Sequence, residues 1–224
     1  MSIRSKYEEL GVEKFYQQQG HSYQNPHESK LNITLITLLN DVNNFDNLNN
    51  LINSCCFSNF SSSVSSFSLS SSNKQSILRV MDLCCGSGEG TRAFNSWCDK
   101  LNNNNNNNKS CFIEIIGIDP YTFELYKNKT GYKALNFSFL DIVKGKLLEY
   151  GYYNICICSF ALHLAEHSVL ADVLRILSQQ VFYLVILTPH KRPVIEEKNG
   201  WKCIKSVIIE RVHGNLYQSL YFQA

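Results

Sequence analysis

Residues 77–90 read Ile-Leu-Arg-Val-Met-Asp-Leu-Cys-Cys-Gly-Ser-Gly-Glu-Gly. The first seven residues form a short apolar run, which predicts a buried β-strand over residues 77–83. The glycines that follow allow the backbone to approach a ligand closely, and a helical pattern starting near Thr91 would place a helix N-terminus beside that ligand. The stretch therefore predicts a strand, a ligand-binding loop and a helix in succession.

The rest of the chain repeats this alternation. Further strands are predicted at residues 112–118, 134–140, 154–159 and 181–187, and helices at residues 90–100, 121–129 and 168–178. Such an order is typical of a parallel sheet with right-handed crossovers. Two strand-like runs, 202–212 and 216–222, flank His213-Gly214-Asn215 and predict an antiparallel hairpin at the end. We expect an α/β fold.

The first third of the chain is organised differently. Helical spacing over residues 6–19 and 31–51 predicts an N-terminal helical cap, residues 1–53. Residues 54–76 contain 12 serines and residues 102–108 are all asparagine, so we expect two low-complexity surface insertions. At 224 residues, the chain is predicted to be a single domain with its core at residues 77–224.

Polar side chains follow the predicted strands at the edge where parallel strands end. Asp119 follows the second strand, Asp141 lies at the end of the third, and Ser159 and Phe160 follow the fourth. Ligands of open α/β sheets bind at this edge, and a carboxylate there can accept hydrogen bonds from ribose hydroxyls. The alternatives are a tight turn without a ligand at the glycine loop and helix N-capping by the two aspartates.

On these residues the sequence resembles the class I S-adenosylmethionine-dependent methyltransferases of the small-molecule type, from residue 77 to the C-terminus. The resemblance implies a Rossmann-like, seven-stranded, mostly parallel sheet and S-adenosyl-L-methionine as cofactor. It implies Asp82, Gly86 and Gly88 near the methionine moiety. It also implies Asp119 with Pro120 at the ribose, Asp141 with Ile142 at the adenine, and Ser159 and Phe160 lining the site.

One residue departs from the family's glycine motif. Cys84 stands where the first glycine is usual, so the backbone there must accommodate a small side chain. The loop Gly86-Ser87-Gly88-Glu89-Gly90 also lacks the GxGxxG spacing of dinucleotide-binding proteins, which disfavours the alternative of a nicotinamide cofactor.

Histidines supply the candidate catalytic groups. His163 follows the fourth strand and His190 follows the fifth, and either could act as a general base near neutral pH. The alternatives are helix packing for His163 and a solvated loop for His190. Tyr23 and His27, in the linker between the two N-terminal helices, could form a lid over the cofactor or only a hydrogen-bonded connection.

Composition bears on partners and location. A net charge of +2, spread along the chain, provides no field that would attract nucleic acid or an anionic membrane. The start lacks a signal peptide and no apolar run reaches the length of a membrane span, so we expect a cytoplasmic protein. No heptad pattern or apolar stripe stands out, so we expect a monomer. Nine cysteines without CxxC pairs suit reduced thiols, and the histidines show no metal-ligand spacing.

Three functions remain open from the sequence. The first is methyl transfer to a small-molecule acceptor, which predicts a closed pocket roofed by the N-terminal helices. The second is a protein or RNA methyltransferase, which predicts an open groove with basic rims. The third is a catalytically silent protein of the same fold that binds a partner, which predicts no cofactor binding.

Overall fold

The computed structural model describes residues 9–22, 25–40, 77–104, 112–189 and 191–223. Several sequence predictions fall outside these ranges: the serine-rich segment 54–76, the end of the asparagine run, the second part of the helix predicted over residues 31–51, Tyr23 and His190. They stay predictions.

The described residues form seven strands. These are β1 Ile77–Leu83, β2 Phe112–Ile118, β3 Lys133–Leu135, β4 Tyr153–Ser159, β5 Val181–Thr188, β6 Trp201–Ile209 and β7 Val212–Ser219. The α-helices are α1 Val12–Gln19, α2 Glu28–Asn40, α3 Glu89–Asn104, α4 Phe123–Thr130, α5 Phe139–Val143 and α6 His167–Gln180. Within the described ranges, no helix is both long and apolar enough to cross a membrane.

All seven strands belong to one sheet, in the order β3-β2-β1-β4-β5-β7-β6. Strands β1 to β5 pair in parallel, whereas β7 is antiparallel to both β5 and β6. The predicted α/β fold, with a mostly parallel seven-stranded sheet and an antiparallel C-terminal hairpin, is confirmed.

Side chains of alternate strand residues pack against helices on both faces of the sheet. On one face, Val80 packs in a cluster with four fully buried leucines of α2 and with Phe94 and Trp97 of α3. On the other face, its neighbour Met81 packs in a cluster that includes α5 and α6. Helix α2 is thus part of the hydrophobic core on one face of the sheet.

The pairing register brings three strand ends to one edge. Leu83, the last residue of β1, pairs with Ile118, the last residue of β2. Leu83 also pairs with Cys158 of β4, one residue before that strand ends. The residues after β1, β2 and β4 therefore meet at the carboxyl edge of the sheet. The strand order changes direction at β1, and ligands of open α/β sheets bind at such a point.

The strand predicted over residues 134–140 is wrong beyond Leu135. Strand β3 ends at Leu135, and helix α5 begins at Phe139. Ser138 caps this helix: its Oγ accepts a hydrogen bond from the Asp141 backbone N–H at 3.2 Å, and the Asp141 carboxylate accepts one from the Ser138 N–H at 2.9 Å. This reciprocal capping box competes with strand formation and places Asp141 in a helix.

The predicted turn of the C-terminal hairpin is also wrong. The chain reverses at Glu210 and Arg211, which both have positive φ angles of 45° and 72°. His213-Gly214-Asn215 instead lies inside β7. A Cβ at Gly214 would lie 2.8 Å from Cγ2 of Thr34 in α2, so this glycine serves the close packing of strand and helix.

We expect Gly214→Ala to lower the free energy of unfolding by about 1–3 kcal/mol, because the added methyl group overpacks the contact with Thr34. Urea denaturation measures the loss. Thr34→Ala removes the nearest methyl group, so the double variant should lose less stability than the sum of the two single variants. A Gly214→Ala variant as stable as the wild type would contradict the packing described here.

Candidate functional site

The loop after β1 adopts backbone conformations that favour glycine. Cys84 has a φ of 56°, Gly86 of 54° and Gly88 of 94°. Two hydrogen bonds fix the loop, from Cys85 N–H to the Ile118 carbonyl at 3.2 Å and from Gly88 N–H to the Cys85 carbonyl at 2.8 Å. Cys84 thus takes the left-handed conformation in which a glycine would be unstrained.

Asp82 lies behind this loop and is fully buried. Its Oδ2 accepts hydrogen bonds from the Thr91 N–H at 2.9 Å and the Thr91 hydroxyl at 2.7 Å, which fixes the first turn of α3. Its Oδ1 lies against Gly90, where a Cβ would come within 2.9 Å. Asp82 therefore shapes the loop from behind and does not line the cleft described below.

Asp119 is placed differently, at the tip of β2, with 7% of its surface exposed. Its Oδ1 accepts hydrogen bonds from the N–H groups of Tyr121 and Thr122 at 2.8 and 2.9 Å. Its Oδ2 accepts a long hydrogen bond of 3.4 Å from the Gly86 N–H. Burial raises the pKa of Asp119. One oxygen thus caps the turn before α4, and the other retains acceptor capacity.

A cleft opens at this edge of the sheet. Six of the residues predicted to bind the cofactor line it, namely Cys84, Gly86, Asp119, Pro120, Ser159 and Phe160. Sequence reasoning missed the other lining residues, which are Tyr16, Leu83, Tyr121, Phe137, Ser138, Phe139, Ala161 and Leu164. The cleft therefore has largely aromatic walls, with Asp119 as its one ionisable carboxylate among the described lining residues.

Four predicted cofactor residues do not line the cleft: Asp82, Gly88, Asp141 and Ile142. The carboxylate of Asp141 is held by the capping box and by an ion pair with Lys146, in which Lys146 Nζ lies 2.7 Å from Oδ1. Lys146, together with the Ser138 donors, lowers the pKa of Asp141. Ile142 is fully buried. The capping function left open for Asp141 in the sequence is the one that the structure shows.

Aromatic stacking connects the N-terminal residues to the cleft. Tyr16 of α1 stacks on Tyr121 with ring centroids 5.7 Å apart and an interplanar angle of 11°. His27 stacks on Phe160 with centroids 5.5 Å apart and an angle of 16°. Phe160 has a φ of 57°. The linker residue His27, predicted as part of a lid, thus contacts a wall residue of the cleft.

Of the two candidate bases, His163 has a described position and His190 does not. His163 is half-buried in the short 3-10 helix Leu162–Leu164. Its neighbours Ala161 and Leu164 line the cleft, but His163 does not. His190 lies outside the described residues, as does Tyr23.

Several thiols lie in β4 and in the loop that follows β1. A hydrogen bond with Cys158, followed by burial, raises the pKa of Cys84 well above its ordinary value, and burial does the same for Cys85 and Cys156. These groups are therefore protonated thiols, not nucleophilic thiolates, near neutral pH. Among the residues with described positions, no three His, Cys, Asp or Glu side chains come together in a group that could hold a metal ion.

No protein-family model matches the chain. An uncharacterized protein of Schizosaccharomyces pombe is 29% identical over 253 aligned residues, covering 97% of this chain and 92% of that protein. Because the relative is described only as uncharacterized, this similarity adds no function.

Solved structures with a similar arrangement include methyltransferases. One is magnesium protoporphyrin IX methyltransferase from Synechocystis PCC 6803 with bound SAM (TM-score 0.48, 11% identity, covering 97% of this chain and 94% of that chain). Another is a ribosomal protein L11 methylase from Lactobacillus delbrueckii subsp. bulgaricus (TM-score 0.48, 13% identity, 88% and 80% covered). The strand order of this chain forms the mostly parallel seven-stranded sheet with an antiparallel C-terminal hairpin that the sequence resemblance to class I methyltransferases implies.

The buried carboxyl of Asp82 should make stability depend on pH. Burial raises its pKa from 3.8 to about 7, so the folded chain holds this proton more tightly than the unfolded chain. The free energy of unfolding should therefore fall as the pH rises from 3.8 to about 7 and level off above. In Asp82→Asn this contribution disappears, whereas the amide oxygen can still accept from Thr91.

Urea denaturation of both proteins between about pH 5 and about pH 8 measures the difference. The wild type should lose more stability than Asp82→Asn over this interval. Equal pH dependence of the two proteins would show that Asp82 is ionised throughout.

Proposed function

Starting from the class I methyltransferase fold of the chain, we propose that it transfers a methyl group from S-adenosyl-L-methionine to a small-molecule acceptor. The observation that supports this most is the position of Asp119, whose Oδ2 keeps acceptor capacity beside the Gly86 N–H in the cleft. A carboxylate at the end of β2 can accept hydrogen bonds from the two hydroxyls of a ribose.

The described side chains fit a sulfonium nucleoside. The cleft is lined by aromatic rings, among them Tyr16 and Phe160, which can contact a nucleobase or attract a cation through their π-faces. None of the described lining residues is Lys or Arg. A carboxylate and aromatic faces without a cationic side chain suit a ligand that carries a positive charge on sulfur, so the described walls support a sulfonium nucleoside.

The bound cofactor would supply an electrophilic methyl group on sulfur. The contribution of this chain is then to hold the acceptor in line with that methyl group and to exclude water, and such positioning lowers barriers by about 7–11 kcal/mol in favourable cases. If the acceptor is a hydroxyl or thiol, a base must take its proton; His163 and His190 are the proposed candidates.

The described cleft gives less support to the two alternative functions. A protein or RNA acceptor would need an open groove with basic rims, and the walls of the described cleft carry no basic side chain. A silent binding protein would have no use for the remaining acceptor capacity of Asp119 Oδ2 at the cleft. Tyr23 and His27 are proposed as lid residues; the contact of His27 with Phe160 supports this for His27.

Asp119→Asn should weaken the binding of S-adenosylmethionine and S-adenosylhomocysteine about 5- to 150-fold, since the ribose hydroxyls lose their charged acceptor at a cost of about 1–3 kcal/mol. The asparagine oxygen can still accept from Tyr121 and Thr122, so the fold should persist. Isothermal titration calorimetry measures the affinities, with NAD as the control nucleotide.

Glu124→Gln is the matched control, because it removes an exposed carboxylate of α4 that pairs only with Lys127 on the surface. This variant should bind like the wild type. A folded wild-type protein that binds neither sulfur nucleoside would favour the silent binding protein, and an Asp119→Asn variant with unchanged affinity would remove Asp119 from the site.

A further inference from the structure

Four consecutive residues, 25–28, contact the start of α3 and the residue after β4; we call them the strap. On one side, the Asn25 backbone N–H donates to Glu89 Oε1 at 3.1 Å, and Glu89 is the first residue of α3 after the glycine loop. On the other side, His27 stacks on Phe160 at the end of β4. The strap therefore runs between the loop that follows β1 and the loop that follows β4.

Glu89 ties the strap to the glycine loop. Its side chain is almost fully buried, with 3% of the residue exposed. Oε1 accepts from the Ser87 hydroxyl at 2.7 Å as well as from Asn25, and Oε2 accepts from the Ser87 N–H at 3.1 Å. Ser87 is the residue next to Gly86, which lines the cleft. One carboxylate thus fixes the shape of the loop and the position of the strap together.

Asn25 carries the connection on to the far wall. Its side-chain Oδ1 accepts a hydrogen bond from the His27 N–H at 2.9 Å, and this turn directs His27 towards Phe160. Asn25 is itself buried, with 8% exposed. A continuous series of contacts therefore runs from the glycine loop through Glu89, Asn25 and His27 to the opposite wall of the cleft.

A second tie is weaker. Glu28 Oε1 accepts from Nε and Nη2 of Arg92 at 2.8 and 2.6 Å, and Arg92 Nη1 donates to the Ser87 carbonyl at 2.8 Å. The side chains of Arg92 and Glu28 are 38% and 48% exposed, and exposed ion pairs contribute little to stability. The buried Glu89 contact is thus the principal attachment of the strap.

We propose that Glu89 is a positioning residue that latches the strap across the cleft, so that a ligand can leave only when the contact between Asn25 and Glu89 opens. The buried carboxylate favours the closed state because opening leaves Glu89 inside the protein with one hydrogen-bond donor fewer. The nature of the ligand rests on the function proposed above; the latch itself rests on the contacts of residues 25–28 alone.

Glu89→Gln tests the latch with little change in shape. The amide nitrogen cannot accept a hydrogen bond, so it faces the Ser87 N–H or the Asn25 N–H as a second donor. We expect the dissociation rate of S-adenosylhomocysteine, measured by surface plasmon resonance, to rise about tenfold while the association rate changes less. Without any ligand, hydrogen–deuterium exchange should become faster in peptides covering residues 25–40.

Gly200→Ala is the control for lost stability, because Gly200 has a φ of 87° and an added Cβ would lie 2.5 Å from Ser178 Oγ of α6, outside residues 25–40 and outside the cleft lining. It should leave the dissociation rate unchanged. If Glu89→Gln does not fold, Asn25→Ala replaces it: this variant removes the acceptor of the His27 N–H but keeps the backbone donor to Glu89, and we expect dissociation about threefold faster.

The outcomes separate the two proposals. A wild-type protein that binds neither S-adenosylmethionine nor S-adenosylhomocysteine would overturn the proposed function, and the ligand-free exchange comparison would still decide the latch. Wild-type exchange over residues 25–40 in Glu89→Gln overturns the latch. So does a wild-type dissociation rate, if the nucleoside binds.

Discussion

Parallel pairing of β1 with β2 on one side and β4 on the other is the constraint on which the site depends. Leu83 aligns with Ile118 and with Cys158, so all three strands deliver their following loops to one edge. A shift by one residue would turn Val80 and Met81 to the opposite faces and mismatch both helical layers. The core therefore fixes the register, and the register assembles the cleft.

Three buried carboxylates lie near one another at that edge, and their hydrogen-bond donors give each a different task. Asp82 receives both donors of Thr91 and fixes the start of α3. Glu89 receives Ser87 and Asn25 and joins the loop to the strap. Asp119 commits one oxygen to the turn before α4 and keeps the other at the cleft. The charges of Glu89 and Asp119 add to the effect of burial in raising the pKa of Asp82.

The sequence predicts the parts of this fold that depend on local pattern. Strands β1 and β2 have the predicted bounds, because continuous apolar runs ending in a glycine loop or an aspartate are strong signals. The strand predicted over residues 134–140 is wrong beyond Leu135, because Ser138 and Asp141 form a capping box that starts a helix at Phe139. The hairpin turn fails because Gly214 serves packing against α2, which only the tertiary structure reveals.

The residues of the candidate site also include some that the sequence predicts and some that depend on tertiary packing. Cys84, Gly86, Asp119, Ser159 and Phe160 follow strands, so the topology alone brings them to the cleft. Tyr16 and Glu89 could not be identified, because their positions depend on how the N-terminal residues dock onto loops distant in the sequence. Asp119 also shows that a carboxylate can cap a turn with one oxygen and keep the other at the cleft, since it has two oxygens.

The crystal structure of the protein grown with S-adenosylhomocysteine tests the central claim most directly. We predict that the nucleoside lies in the cleft, with its ribose hydroxyls within hydrogen-bonding distance of Asp119 Oδ2. We also predict that the strap keeps the contact between Asn25 and Glu89. A nucleoside bound elsewhere, or a ribose that contacts no oxygen of Asp119, would contradict it.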